Sequence, residues 1–389
     1  MSHALLSPSA ASRWLSCTPS ARLETQFPDN ASEAAAEGTL AHRICELTVM
    51  LYAGRITEEL YHAHMRKEIL PSKYYCPEMQ EHCEEYATYV IGRYEMARSS
   101  DPAAVLMLEV KLDLTKYVPE GFGTGDTVIL ANNIVEIIDF KYGKGVPVSA
   151  VNNSQLKIYA LGAIDMFGFA YELRMVNVTI VQPRLKSLTS HPMTIEELQA
   201  WADSELLVKA ALAWKGEGDF VAGKHCQFCK AKAVCRANME FNMQVAAHDF
   251  ANAETLCAEE IADIISRADM FKSWIGAVEE YALKEALGGK RIPGYKIVQG
   301  RSTRQYSDEL AVANILTGVG GYTETDIYNK KLLGITAMEK LLGKDRFAHL
   351  LDSHIVKPAG KPTLVTESDP RKPFNSAELD FAGIILEND

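Results

Sequence analysis

The stretch GTGDTVILANNIVEIIDFKYGKG, residues 123–145, decides the fold of this chain. Two apolar runs flank Asn132-Asn133, and Asn accepts the positive φ values that a two-residue hairpin turn requires. Pairs counted outward from that turn bring Asp126 opposite Asp139 on the two strands. Because side chains alternate along a strand with a period of two, Lys141 is predicted on the same face as Asp139.

The two opposed carboxylates of this hairpin admit two interpretations. On a largely apolar hairpin they repel each other, which is unfavourable for stability alone. A divalent cation between them removes the repulsion, and oxygen ligands favour Mg²⁺ or Mn²⁺. A lysine two residues further on would then position a water or stabilise charge on a phosphate. The alternative is a solvated strand end at which both acids point into water, and the hairpin residues leave both interpretations open.

The segments around the hairpin predict helices on both sides of a run of strands. Alternation predicts a strand over 105–114, and 175–183 is predicted as the last strand because Pro183 stops it. Helical spacing predicts helices over 31–53, 77–98, 154–168 and 194–214. The order of these elements predicts an α/β fold in which a mixed sheet is flanked by helices.

The composition excludes several classes of protein. Hydrophobic residues make up 47% of the chain and charged residues 23%, which is the balance of a soluble globular protein. No run of about 18 apolar residues is present, and the N-terminus lacks the pattern of a signal peptide, so a cytoplasmic location is expected. The net charge of −11 argues against unselective coating of nucleic acid, but it allows a local basic groove.

Four of the eight cysteines form a pattern that suggests a metal centre. HCQFCKAKAVCRA supplies Cys226, Cys229 and Cys235, and three thiols within ten residues can bind one metal centre. A fourth ligand must come from elsewhere, and Cys17 is the candidate. The spacing does not distinguish an iron–sulfur cluster from zinc. The other cysteines share no spacing and are expected to be plain thiols: Cys45, Cys76, Cys83 and Cys257.

Four short motifs follow one another along the chain: GTLAH, GTGD, IDFKYG and QLKIY. The first places His42 on a helix, with Glu46 one turn further, and the last places Gln155 and Tyr159 on one helix face. In this order the motifs resemble the RecB-like branch of the PD-(D/E)XK nucleases, over roughly residues 7–240. The resemblance implies a restriction-endonuclease-like core and a metal-dependent deoxyribonuclease, with an exonuclease as the expected form.

The resemblance also implies roles for individual residues. It implies three ligands for Mg²⁺ or Mn²⁺: His42, Asp126 and Asp139. Lys141 would be the catalytic lysine, and Gln155 and Tyr159 would be supports near the DNA backbone. Glu46 does not belong securely to the family pattern and is left outside the ligand set.

The four patterned cysteines are similar to those of the iron–sulfur members of this branch. Those members include the AddB-type helicase–nucleases and the CRISPR-adaptation nucleases, in which a [4Fe–4S] cluster joins the two ends of the domain. By this resemblance Cys17, Cys226, Cys229 and Cys235 would bind the cluster, and zinc at the same thiolates is the alternative. Such a staple closes a loop of over 200 residues, which limits the unfolded chain.

Three regions are predicted along the chain: a RecB-like nuclease domain at 1–245, a long connecting helix at 246–290, and a smaller α+β region at 291–389. The basic stretch 290–306 carries Tyr295 and Tyr306, a composition that suits contact with a nucleic-acid backbone or single strand. An exposed strand with solubilising charges explains the stretch equally well. The layout resembles a phage and prophage family with an extra C-terminal region.

That layout implies phage DNA replication or recombination as the setting. DNA is the expected partner, and a phage single-strand-binding or annealing protein is a further candidate. A helicase would be a separate protein because no Walker loop is present. No membrane partner is expected, and a homo-oligomer is left open. Two other functions compete with the nuclease: a catalytically silent DNA-binding or assembly module, against which the intact set of site residues counts, and a purely structural zinc protein.

Overall fold

A computed structural model describes residues 4–28, 33–246, 257–298, 308–318, 323, 327–328, 335–351 and 354–355. Contacts within the chain separate two units, Met1–Val298 and Gln299–Asp389. The first unit contains the sheet and all the predicted site residues. It also includes the whole of the predicted connecting region at 246–290, so the division falls after residue 298, whereas the sequence suggested boundaries at 245 and 290.

A five-stranded mixed sheet forms the centre of the first unit, with its strands in the order β1-β2-β3-β4-β5. The strands are β1 (Val105–Asp113), β2 (Phe122–Ala131), β3 (Ile134–Phe140), β4 (Met175–Gln182) and β5 (Ser187–Thr194). β3 and β4 run parallel, and the other neighbouring strands run antiparallel. The predicted mixed sheet is confirmed.

The prediction that the strand at 175–183 is the last one is wrong, because β5 follows it. A short 3₁₀ turn begins at Pro183, and Lys186 then adopts a left-handed conformation with φ 50° that reverses the chain. β5 lies at the edge of the sheet, and it contains Pro192 and several small polar residues. Proline is disfavoured within a strand and is tolerated at a sheet edge, so pairing with β4 decides this strand rather than local sequence.

Helices cover both faces of the sheet. α3 (Glu33–Tyr52) and α5 (Pro77–Ser100) pack on each other and on one face. α6 (Ser154–Phe167) packs on the other face, together with α7 (Ile195–Trp201) and α8 (Leu207–Lys215). The remaining helices of this unit are α1 (Ala11–Ser16), α2 (Ser20–Glu24), α4 (Glu58–His64, continued by a π turn at Met65–Ile69), α9 (Arg236–Ala246) and α10 (Ala258–Leu287).

The start of α6 is set by a capping side chain. Asn153 precedes the helix, and its Oδ1 accepts a hydrogen bond from the backbone N–H of Leu156 at 3.2 Å. The cap fixes where the first turn begins, and Gln155 lies in that turn. The buried residues of α6 include Leu156, Ile158 and Tyr159, so the same turn is held against the sheet.

β1 and β2 change the faces to which their side chains point, part of the way along each strand. Leu106 packs in the core beside α3 and α5, whereas Leu112 packs in the core beside α6, although an even spacing would place both on one face. Between them, Glu109 has φ 46°. Pairing of the two strands is interrupted at the same place, between Leu108↔Thr127 and Val110↔Gly125, so that Glu109 and Asp126 face each other unpaired.

The described residues of the second unit form helices. These are α11 (Glu309–Gly318), α12 (Ile335–Leu342) and α13 (Lys344–Leu351). Tyr306, in the predicted basic stretch, lies outside the described residues. Within the described part of both units, no helix is long and apolar enough to span a membrane.

Candidate functional site

The hairpin at the centre of the candidate site has the predicted register. Asn132 in the turn has φ 51°, and the pairs run from Ala131↔Ile134 to Thr127↔Ile138, as counted from the sequence. The ladder ends there, one pair before the two acids. Asp126 does not continue it, and its Oδ2 instead accepts a hydrogen bond from the backbone N–H of Phe140 at 2.7 Å. Asp126 lies within β2 and Asp139 near the end of β3, and the two acids do not form the ladder pair that the sequence predicted.

Asp126 lies beside the histidine that the sequence predicted as a metal ligand. The Nδ1 atom of His42, on α3, is 3.3 Å from Asp126 Oδ1 and 4.0 Å from Glu109 Oε1. Ligand atoms of these three residues all lie within 4.8 Å of one another. The ring of His42 packs edge-on against Phe140, with centroids 5.4 Å apart, and this contact helps to fix its orientation.

Glu109 was missed by the sequence analysis. It stands in VLMLEVKLDL, where alternation predicts an ordinary strand with Glu109, Lys111 and Asp113 on a solvent-facing side. Glu109 is instead two-thirds buried, because the backbone turns at this residue. A sequence signal for this arrangement is absent, since glutamate has no preference for the left-handed region.

Asp139 is buried and lies between a cation and an amide. Its Oδ1 accepts a hydrogen bond from Gln155 Nε2 at 3.2 Å, and its Oδ2 is 3.0 Å from Lys141 Nζ. The predicted common face of Asp139 and Lys141 is thereby confirmed. The lysine is not aligned for a hydrogen bond to Oδ2, so this buried oxygen has no hydrogen-bond partner in the described structure. Such an orphaned carboxylate oxygen is a suitable donor for a hard cation.

Gln155 links the remaining predicted residues. Its Oε1 accepts a hydrogen bond from Lys141 Nζ at 3.2 Å, and its Nε2 is 3.4 Å from the hydroxyl of Tyr159. The ring of Tyr159 lies so close to Gly123 that a Cβ there would be 2.7 Å from Tyr159 Cε1. The first glycine of GTGD is therefore required for the approach of α6 to the sheet. Burial raises the pKa of Tyr159, so that its hydroxyl stays protonated.

The charges of His42 and Asp126 stabilise each other. Burial by itself lowers the pKa of His42, but the carboxylates of Asp126, Asp139 and Glu109 outweigh burial and raise it to about 9. Burial also acts to raise the pKa of Asp126, but His42, Lys141 and the Phe140 N–H outweigh it and lower that pKa. His42 is therefore an imidazolium opposite an aspartate when no metal is bound.

The two other acids are harder to ionise. Burial, together with the charge of Asp126, raises the pKa of Asp139 to about 6, although Lys141 acts in the opposite direction. Burial and Asp126 raise the pKa of Glu109 to about 7. For Lys141, burial favours the neutral form, but Asp139 and Asp126 outweigh it and raise its pKa. A divalent cation would favour the ionised carboxylates and displace the proton of His42, so these donors fit such an ion.

Glu46 is engaged elsewhere. Its Oε2 accepts a hydrogen bond from Arg43 Nη1 at 2.6 Å, and Arg43 also binds Glu68 at 2.9 Å. This ion-pair group joins α3 to the π turn that follows α4. Glu46 therefore supports the helix that carries His42, and the structure is consistent with leaving it out of the ligand set.

The structure brings the four patterned cysteines to one place. Cys17, Cys226, Cys229 and Cys235 line a single cavity, and none is in a disulfide. Their sulfur atoms are farther apart than the ligand atoms of the carboxylate group, since they do not meet the 4.8 Å separation that His42, Glu109 and Asp126 meet. His225 lines the same cavity, but its Nε2 lies 2.9 Å from the carbonyl oxygen of Val221.

Hydrogen bonds outside the cavity hold its two parts together. Thr18 Oγ1 donates to the carbonyl of Glu217 at 2.6 Å, and Arg22 Nε donates to the carbonyl of Trp214 at 2.5 Å. Glu24 pairs with Arg13 at 2.6 Å and accepts the backbone N–H of Lys230 at 2.8 Å. These bonds attach the N-terminal segment to α8 and to the segment that follows it, which are the two parts that a shared metal centre would join.

Burial disfavours the ionisation of three thiols of this cavity. Burial raises the pKa of Cys17 and of Cys226, and it raises the pKa of Cys229 to about 12. Thiols with such pKa values are poor nucleophiles, which argues against thiol catalysis here. Three thiols that are hard to ionise fit metal ligands better than nucleophiles, because a bound metal ionises its thiol ligands.

Comparison with known proteins adds a family but no activity. A family model described as "Protein of unknown function (DUF2800)" matches residues 3–372. One of the solved structures that the chain matches is titled "Crystal structure of SSO0001". The match is 15% identical, covers 50% of this chain and 95% of that chain, and has a TM-score of 0.23. A score this low supports no argument about either protein.

Proposed function

We propose that this chain, which belongs to the DUF2800 family, is a metal-dependent deoxyribonuclease with a PD-(D/E)XK-type core, acting as an exonuclease. The observation that carries the proposal is the convergence of His42, Asp126, Asp139 and Lys141 from one helix and two strands. These are the four residues that the resemblance to RecB-like nucleases singles out. A solvated strand end, the competing interpretation of the acids, is disfavoured because Asp139 is only 2% exposed.

Each residue has a role that its contacts support. His42, Asp126 and Asp139 would hold Mg²⁺ or Mn²⁺, which supplies a Lewis acid for the phosphate and lowers the pKa of a bound water. Lys141 stays charged beside the acids, and its ammonium would stabilise the negative charge that develops on the phosphate. Gln155 holds the side chains of both Asp139 and Lys141, so it orients the pair.

The cysteine cavity has a structural role in this proposal. Cys17, Cys226, Cys229 and Cys235 would bind a [4Fe–4S] cluster, with zinc as the alternative occupant. The support is chemical, since four thiols that are buried or half-buried line one cavity, and topological, since Cys17 lies over 200 residues before the other three. The centre would join the start of the nuclease core to its end.

The biological setting is proposed from the resemblance to phage and prophage proteins. DNA would be the substrate in phage replication or recombination. A single-strand-binding or annealing protein, or a separate helicase, would act on the same DNA. Lys224, Lys230 and Arg236 are exposed beside the cysteine cavity and would supply local positive charge on a chain whose net charge is −11.

Cleavage assays on linear and circular DNA test the proposal. Protein purified without air is incubated with each substrate in Mn²⁺, in Mg²⁺ and in EDTA, beside a Lys141→Ala variant that detects contaminating nucleases. Metal-dependent degradation of linear DNA alone supports an exonuclease, whereas cutting of circular DNA as well replaces the exonuclease by an endonuclease. DNA binding without cleavage under every condition would overturn the nuclease and favour the silent module.

A further inference from the structure

Glu109 has a backbone conformation that its residue type does not explain. It lies within the nine-residue strand β1, and its φ of 46° is in the left-handed region, which glutamate rarely adopts. It is not part of a turn, because β1 pairs with β2 on both sides of it. Strain of this kind persists where the surrounding structure requires it, and it is concentrated at functional sites.

The consequence of this conformation is the position of the Glu109 carboxylate. The unpaired position opposite Glu109 is Asp126, and the same His42 Nδ1 lies 3.3 Å from Asp126 and 4.0 Å from Glu109. A regular strand would keep this residue in the ladder. The left-handed conformation of Glu109 thus directs its carboxylate toward Asp126, which interacts with Asp139.

Glu109 also lacks the kind of partner that other buried acids of the sheet have. Glu136 on β3 accepts three hydrogen bonds from Arg93, at 2.9 to 3.1 Å, and a fourth from Asn177 at 3.0 Å. Among the described residues, the cation within 4.0 Å of Glu109 is His42, which Asp126 binds more closely. A carboxylate placed only for stability would be expected to have a better-matched partner.

A second observation points to an ion at this place. Asp139 Oδ2 is buried and has no aligned hydrogen-bond donor in the described structure, although the ammonium of Lys141 lies 3.0 Å from it. Asp139 also interacts electrostatically with both Asp126 and His42. His42, Glu109 and Asp126 thus form a donor set of two carboxylates and one imidazole, and Asp139 adds a carboxylate that interacts with two of them.

We propose that Glu109 is a further metal-binding residue, which completes with His42 and Asp126 a set of three protein donors on the α3 side of the site. The inference rests on the proposed metal-dependent function, to which it adds a ligand from β1. Because the set includes an imidazole, it binds Mn²⁺ more tightly than Mg²⁺, as the general order of divalent affinities for nitrogen-containing sites predicts.

Binding of Mn²⁺ alone, without DNA, tests this assignment. The dissociation constant is measured on the full chain by calorimetry or by the paramagnetic resonance of free Mn²⁺. Glu109→Gln removes the charge and keeps the length, and we expect it to weaken binding by about tenfold or more. Asp113→Asn is the matched control, since Asp113 is an exposed acid on the same strand whose carboxylate accepts hydrogen bonds from Thr115, and we expect wild-type affinity.

Glu109→Asn guards against a variant that fails to fold. Asn adopts the left-handed region more readily than Glu, so this variant should retain the circular dichroism spectrum while it loses Mn²⁺ affinity. Wild-type affinity in both Glu109 variants would overturn the assignment. If those variants also degrade DNA normally, the nuclease stands without Glu109 as a ligand. If they lose Mn²⁺ while the wild-type protein cleaves no DNA, the ligand stands and the nuclease fails.

Discussion

The carboxylate site and the cysteine cavity differ in what holds them together before any metal binds. In the carboxylate site, His42 faces Asp126 and Lys141 faces Asp139, so opposite charges partly stabilise the donors. In the cysteine cavity the donors are buried or half-buried thiols, three of which burial makes harder to ionise, and the two parts are joined by hydrogen bonds around the cavity. The donors of the carboxylate site are therefore preorganised by ion pairs. The arrangement of the cysteine thiols would depend more on a bound metal.

The two sites also differ in their place along the chain. The donors of the carboxylate site come from three neighbouring strands, β1, β2 and β3, and from α3, which packs on one face of their sheet. The cysteine cavity joins a segment at residue 17 to segments beyond residue 220. Loss of a carboxylate should therefore remove chemistry and leave the fold, whereas loss of a cysteine should affect the stability of the whole unit.

Cys17→Ser should have the largest effect on stability. It removes the one ligand that closes a loop of over 200 residues, and by analogy with a covalent cross-link the destabilisation is up to about 5 kcal/mol. Metal content and thermal unfolding, measured on protein purified without air, check this. Cys257→Ser is the control, because Cys257 is exposed and lies outside the cavity. Full metal loading in Cys17→Ser would refute the four-ligand centre.

The same preparations identify the metal. A [4Fe–4S] cluster makes the protein brown and gives about four irons per chain, because thiolate and sulfide transfer charge to iron. Zinc is colourless, so a colourless protein with one zinc would replace the cluster but keep the four ligands. Elemental analysis and the visible spectrum distinguish the two results.

Asp139→Asn should abolish cleavage while the fold remains. The folded pKa of Asp139 is raised to about 6, above its ordinary value of 3.8, so its stabilising contribution is complete at low pH and is lost as pH rises through 6. At pH 8 the ionised side chain is a cost that the variant removes. The metal-free variant should therefore be at least as stable as wild type, within about 1 kcal/mol, in urea unfolding. Wild-type activity in Mn²⁺ would contradict the ligand role.

Lys141→Ala should separate chemistry from binding. His42, Asp126 and Asp139 all remain, so Mn²⁺ affinity should be unchanged. Turnover should fall about 100-fold or more, which corresponds to about 2.7–4 kcal/mol of lost transition-state stabilisation. Single-turnover cleavage and Mn²⁺ calorimetry on the same sample make the comparison. A parallel loss of metal affinity would show that the lysine organises the site.

Mn²⁺ affinity of the wild-type protein should increase with pH between about 6 and 9. The metal-free site is protonated at His42, whose pKa is about 9, and at Glu109, whose pKa is about 7. Binding must release these protons, so affinity should rise by up to about tenfold per pH unit while one of them titrates. Dissociation constants across this range check the slope, and a flat profile would show that neither group binds the ion.

Tyr159→Phe should have the smallest effect. Its ring packs beside Gly123, whereas its hydroxyl makes only a 3.4 Å contact with Gln155. Loss of one long hydrogen bond is worth about 0.5 kcal/mol, so turnover should fall about threefold or less. A loss comparable to that of Lys141→Ala would assign the hydroxyl a direct contact with DNA.

The sequence by itself determined the parts of this protein that follow from local periodicity. The Asn132 turn set the hairpin register, alternation placed Lys141 beside Asp139, and the cysteine spacing identified three of the four thiols that share a cavity. These features depend on backbone geometry over a few residues, and the residues carry enough information to predict them.

Only the tertiary structure decided the features whose cause lies far along the chain. β5 forms because β4 offers a free edge, and α10 lies near the cysteine segment, where Lys232 Nζ donates to Ser273 Oγ at 3.2 Å. Glu109 reaches the site through a left-handed conformation that its own propensity opposes. In each case contacts between distant segments outweigh local preference, because burial and pairing in the packed core contribute more free energy than one residue's intrinsic conformational preference.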